Sequence, residues 1–293
     1  MTLADLIILV LRASIVGMVF ALGLGVAPRD LFHLFGRPGL LVRSLVSVFV
    51  VMLVAAVVVA TAADLHRPVK IVLVFLAVAP IPPLLPSKQT KAGGEASYAY
   101  GLLVAASLFA VLWIPFVVKV LSGMFGLSLS VPTPSLLGII GVMILAPLAA
   151  GALVGRYAPA FAARVQAPIS RLASLVLLVG LALMVFKAWR PMLAEIGDGT
   201  LIALAGFVLV GLVSGELLGG PHREDRSVLA IASSCRHPGI ALALANLNFP
   251  EEKTVLAVML LYLIVSALVT LPYVRWRQRA AGGLSAPSEH KAG

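Results

Sequence analysis

The chain has 293 residues, 61% of them hydrophobic and only 12% charged, with a mean hydropathy of +1.08. Soluble domains carry about 25% charged residues, so an ordinary soluble globular protein is excluded at the outset. The 22 basic residues outnumber the 12 acidic ones, but they sit between apolar runs and form no nucleic-acid-binding face; the single cysteine, Cys235, excludes an internal disulfide and any multi-cysteine metal site.

In chain order the apolar residues fall in unbroken runs of roughly 20, the length that carries a helix across ~30 Å of hydrocarbon. They predict an all-α membrane protein of nine transmembrane helices in one domain, 1–279. The spans are about 4–26, 39–63, 68–91, 95–120, 134–155, 168–187, 200–219, 225–247 and 253–274. The first run is too long for a signal-peptide core and no small-residue cleavage site follows it, so it is read as a membrane helix. Residues 280–293 have no apolar face to bury and are expected to form a disordered cytoplasmic tail. Nine crossings place the termini on opposite sides. With the C-terminus cytoplasmic, fourteen basic residues lie in inner segments and six in outer ones. That bias predicts the N-terminus outside and the C-terminus inside.

Two spans carry helix-breaking residues at mid-membrane depth. The third runs smoothly from Val69 to Ala79 and then reads Pro80-Ile81-Pro82-Pro83-Leu84-Leu85-Pro86-Ser87-Lys88-Gln89; the eighth contains Ser233-Ser234-Cys235-Arg236-His237-Pro238-Gly239. Proline removes a backbone donor and clashes with the preceding turn, so four prolines in this stretch cannot continue a helix. Unpaired amides in lipid cost several kcal/mol each, which forces both breaks to face protein or a water-filled cavity. They lie five spans apart and enter from opposite sides, as an inverted repeat of five spans lacking its first helix predicts. Such paired breaks are a pointer to a transporter's substrate site.

At these residues the sequence resembles the bile acid:sodium symporter superfamily. The stretch from Leu229 to Ala243 is similar to the family's E-x-x-x-Q-N/S-x-G-L-A segment; Phe20-Ala21-Leu22-Gly23-Leu24 through Pro28, then Arg37-Pro38, resembles "GMGL…P…HP"; and Pro80 to Glu95 fits "CPGG…SN…AKGN" without a gap. The resemblance implies a panel domain (about 4–26 and 134–187) and a core domain (about 39–120 and 200–274) in which two broken helices cross. It implies a nine-span member lacking the first helix. It also exposes departures. Where sodium-coupled members place a Glu and a Gln, this chain has Ala232 and Arg236; the Ser-Asn pair falls on Leu85-Pro86, and the hydroxyls of the next helix on Ala99 and Leu103. None of these side chains supplies an oxygen ligand, so sodium coupling at the usual positions is not expected.

A charge near the bilayer centre costs at least ~2.5 kcal/mol and faces the bundle interior, which makes Arg236 the most informative residue. It is read either as the fixed positive charge of an anion site or as a tie for free carbonyls at the break. His237 is read as a proton carrier or as a neutral residue bonded to a carbonyl. Ser233, Ser234, Pro83, Ser87, Lys88 and Gln89 complete the candidate substrate site, Lys88 alternatively snorkelling to the surface; Arg12 is placed facing the cleft or the interface. A positive cavity selects anions, so the expected partner is a small organic anion, with possible proton coupling, in a lipid bilayer. No cofactor, metal or nucleic-acid partner is read, and oligomeric state is left open. An enzyme would need paired carboxylates or a motif such as H-E-x-x-H within the spans. A channel or sensor on the same scaffold, or a sodium symporter with altered ion sites, stays open as an alternative to a carrier.

Overall fold

The computed structural model describes residues 3–131 and 133–282, and every regular element among them is helical. Helix α1 (Leu3–Leu24) leads through the short α2 (Pro28–Leu31) and a 3-10 turn, His33–Gly36, to α3 (Pro38–Leu45). A π-helical turn, Val46–Val51, joins α3 without interruption to α4 (Met52–Ala62), so that Pro38–Ala62 forms one rod. Then come α5 (Arg67–Val78), α6 (Leu85–Lys91) and α7 (Ala96–Phe125). The second half holds α8 (Thr133–Ile140), a π turn at Gly141–Leu145, α9 (Ala146–Tyr157), α10 (Pro159–Ala194) and α11 (Thr200–Leu218). The chain closes with α12 (Arg223–Ser234), α13 (Pro238–Asn248) and α14 (Val255–Gly282).

Each of the nine expected segments falls on helix, and seven helices are long and apolar enough to cross a membrane. The third does not meet that measure, because α5 stops at Val78. Helix α10 begins at Pro159, nine residues before the expected 168, because Pro159 occupies its first turn, where a missing N–H is harmless. Helix α14 continues to Gly282, past the expected end of the ordered chain at 279. The rest of the predicted tail, 283–293, lies outside the described residues.

Two close-packed seams organise the bundle. Along α11, Gly211, Gly215 and Gly219 recur every fourth residue, and a Cβ at each would meet backbone of α12 around Ser233–Ser234, Leu229–Ala230 and Arg226. Small residues at that spacing let two helical backbones touch, which in lipid maximises dispersion where no hydrophobic force draws helices together. Gly23 of α1 meets Gly151 and Ala152 of α9 in the same manner, and α10 lies against α1 as well. Helices α12, α13, α5 and α14 pack on one another, with α6 seated between α12 and α7.

Candidate functional site

The helix of the third expected span ends because Ala79 precedes a proline, which disfavours the α region, and takes an extended conformation (φ −68°, ψ 148°). Pro80, Pro82 and Pro83 have no N–H to continue the ladder. Helix resumes at Leu85 with Pro86 in its first turn, so Ser87, Lys88 and Gln89 are helical and the break is shorter than the proline run implies. The second break is shorter still: α12 holds its hydrogen bonds through Ser234, and only Cys235, Arg236 and His237 leave the helix before Pro238 opens α13.

The two breaks touch. The His237 backbone N–H donates to the Pro80 carbonyl at 2.9 Å, joining the non-helical segment of one broken helix to that of the other. His237 also caps α13, its Nδ1 accepting from the Ile240 N–H at 3.3 Å. An imidazole can accept at Nδ1 only when that nitrogen carries no proton, so the neutral ring is the one this cap uses.

Arg236 is 1% exposed. Its backbone N–H donates to the Tyr262 hydroxyl at 2.9 Å, and that hydroxyl reaches the Ser234 carbonyl at 3.4 Å. Its side chain turns to the rod Pro38–Ala62, where Nη2 donates to the carbonyl of Val48 inside the π turn. Nε and Nη1 are buried without a hydrogen-bond partner, and no ion pair joins Arg236 to a carboxylate among the described residues. π turns disturb the helical carbonyl ladder and recur at functional sites; this one sets a carbonyl against the guanidinium.

Lys88 does not snorkel: its Nζ donates to Thr270 Oγ1 at 2.6 Å and lies 4.0 Å from Cys235 Sγ. A hydroxyl partner inside the bundle holds the ammonium there, so the apolar stem does not have to carry it outward. Gln89 is fully buried and ties the broken helices together, Nε2 donating to the Val228 carbonyl at 2.8 Å while Oε1 is without a partner. Ser233 meets Ser47 (2.7 Å) in a buried hydroxyl cluster that includes Ser214, whereas the Ser234 hydroxyl returns to its own helix at the Ile231 carbonyl. Pro83 is buried at the first break, and Ser87 is exposed. Arg12 is exposed on α1, which packs on α9 and α10, and is not brought to the junction.

Residues the sequence reading did not single out lie on α14. Tyr262, Ser266 and Thr270 stand four apart on one face and touch Arg236, Cys235 and Lys88 in turn. Their i, i+4, i+8 spacing in an otherwise apolar helix was the available signal. Below them Arg277 and Tyr273 bond Glu216 of α11, closing that end of the bundle.

The arrangement is therefore a junction of two broken helices that holds two cations, hydroxyls and unwound backbone. The family model described as Sodium Bile acid symporter family matches residues 13–195. The chain belongs to the sodium bile acid symporter family. The matched part contains the first break and ends before α11. Membership in this transporter family, with the long apolar helices, makes the chain an integral, multi-pass membrane protein of the symporter family's transport class. Comparison with curated proteins gave no match.

Proposed function

We propose that this member of the sodium bile acid symporter family is a secondary carrier of a small organic anion, working by alternating access with Arg236 as the anion-binding cation. The observation that carries the reading is the buried guanidinium at the junction, with no hydrogen-bond partner for Nε and Nη1 and no carboxylate paired to it among the described residues. A guanidinium presents paired N–H donors in a fork that matches a carboxylate, so an anion would supply both missing acceptors and the missing charge. Lys88, held by Thr270, is a second cation beside the break, and unwound carbonyls and hydroxyls complete the lining.

We read nine crossings, with α1 first and α5–α6 third, as an inverted repeat whose corresponding broken units are α5–α6 and α12–α13. The packing of α1, α9 and α10 supports a panel, and that of α5, α11, α12, α13 and α14 a core. The basic residues support the N-terminus outside and the C-terminus in the cytoplasm. Sodium does not fit the family's usual positions: Ala232, Ala99 and Leu103 are buried hydrocarbon, and Arg236 already brings a positive charge. His237 would have to surrender its cap on α13 to carry a proton through its Nδ1.

Counterflow in proteoliposomes tests the reading, using labelled bile acid and smaller labelled carboxylates. Saturable exchange is expected, with Arg236→Ala lowering it at least about tenfold and Arg236→Lys less, since loss of a charge-assisted pair costs more than 1.4 kcal/mol. Exchange at the wild-type rate in a folded Arg236→Ala protein would reduce Arg236 to a structural tie. Currents far above carrier turnover would make the protein a channel.

A further inference from the structure

At the end of the bundle carrying the starts of α3, α7 and α12, a second polar cluster closes on itself. Arg37, the residue before α3, donates from Nη2 to Asp225 Oδ2 at 2.8 Å and from Nη1 to Glu95 Oε2 at 3.3 Å; the same Nη1 lies 3.5 Å from Asp225 Oδ1. Two carboxyl groups from different helices thus crowd one guanidinium nitrogen. His33 Nε2 stands 3.5 Å from Glu95 Oε1. A surface cavity of about 280 Å³ opens over the cluster, lined by Arg37, Glu95, His222, Glu224 and Asp225. Asp225 is 2% exposed, so its charge is almost wholly committed to this contact.

The cluster and the junction lie along the same two elements. The helix that begins beside Arg37 carries the Val48 carbonyl, and the helix that begins near Asp225 leads to Arg236; each distance is about 16 Å at 1.5 Å per residue. Glu224 lines both the main cavity and a smaller recess among Ala92, Gly93, Arg223, Ser227, Arg277 and Ala280. Ala92 of that recess lies one turn beyond Lys88, and Ser227 lies on α12, two turns before Cys235.

We propose that Glu95 and Asp225 share one proton, and that this proton holds shut the end of the bundle through which the junction is reached. With the proton in place, the Glu95 carboxylic acid donates to the Asp225 carboxylate, and Arg37 balances the single remaining negative charge. Without it, two adjacent carboxylates face one guanidinium, His33 being the nearest further positive candidate, and like charges push α7 from α12. Burial and then the neighbouring Asp225 carboxyl raise the Glu95 carboxyl above its ordinary range, His33 and Arg37 acting in the other direction. The sign is that of an acid whose folded-state pKa is raised: the closed form is favoured below the usual carboxylate range and loosens as pH climbs through the elevated value.

Cys235 is the sole cysteine of the chain and lies at the junction, so its alkylation rate by N-ethylmaleimide reports access without any transported anion. The purified full chain and Glu95→Gln are labelled side by side; their rate ratio at each pH cancels the thiol's own ionisation. Glutamine imitates the protonated acid and keeps its end closed. The wild-type to variant ratio is expected near one at about pH 4, below the ordinary carboxylate range, and to rise at least about threefold by about pH 8. A ratio that stays flat overturns the proposal. Should Glu95→Gln not fold, amide exchange of residues 93–98 in the wild type, divided by that of residues 127–131, must rise over the same pH range, and a constant quotient overturns it equally. Either failure leaves the anion-carrier reading standing, because labelling requires no substrate.

Discussion

Arg236 stands out in the sequence because a charge amid apolar residues is costly, and its position at the second break is where the structure holds it. What fixes it in place is less legible. Tyr262 receives the Arg236 backbone N–H and reaches the Ser234 carbonyl, spanning the gap where α12 stops. Tyr262→Phe keeps the ring packed against Phe207 and removes only the hydroxyl. An orphaned buried donor costs about 1–3 kcal/mol, so the variant should unfold earlier in a thermal or denaturant melt. If Tyr262 also positions the guanidinium, the concentration of anion giving half-maximal counterflow rises too; a purely structural role lowers stability and leaves that concentration alone. Hydroxyls on membrane helices cost little and commonly serve local carbonyls, so Tyr262, Ser266 and Thr270 gave no signal by type, only by their spacing. The Val48 carbonyl gave none at all, since side-chain order does not reveal which main-chain oxygen a π turn exposes.

At the scale of elements the sequence located both breaks but not their extent. Prolines mark where a helix must stop, yet Pro86 is tolerated in the first turn of α6, which lets Ser87, Lys88 and Gln89 return to helix. Lys88 then points to Thr270, a partner on a distant helix that no local pattern could name. The glycines of α11 separate packing from propensity in one helix. At Gly215 a Cβ would strike the Ala230 backbone, whereas at Gly206 it would meet nothing. Gly215→Ala is therefore expected to destabilise by about 1–3 kcal/mol through overpacking of α11 on α12. Gly206→Ala should stabilise by up to about 1 kcal/mol from helix propensity. Denaturant unfolding of the two purified variants, compared with the wild type, tests the contrast. Equal effects would mean that α11 and α12 are not as close as the seam requires.

For the whole molecule, composition alone was enough to name the solvent, because a chain with so few charges cannot cover itself in water. Counting crossings was harder: α5 and α6 are separate short helices, and neither meets a length rule that α7 or α10 satisfies easily. The same break governs energetics. In a sodium symporter the ion supplies positive charge that arrives and leaves with the substrate, and its gradient drives the cycle. On the proposed reading the charge at the junction is covalently fixed in Arg236, and the residues that the resemblance aligns with the family's sodium positions, Ala232, Ala99, Leu103, Leu85 and Pro86, offer no side-chain oxygen. Replacing sodium by potassium or choline at constant ionic strength should then leave anion counterflow within about twofold, far from the tenfold that 1.4 kcal/mol of coupling would produce. Constant ionic strength matters, because screening alone alters the attraction of an anion to a cationic cavity mouth. A tenfold fall without sodium would mean that unwound carbonyls bind the ion unaided, and would return Arg236 to the part of a backbone tie.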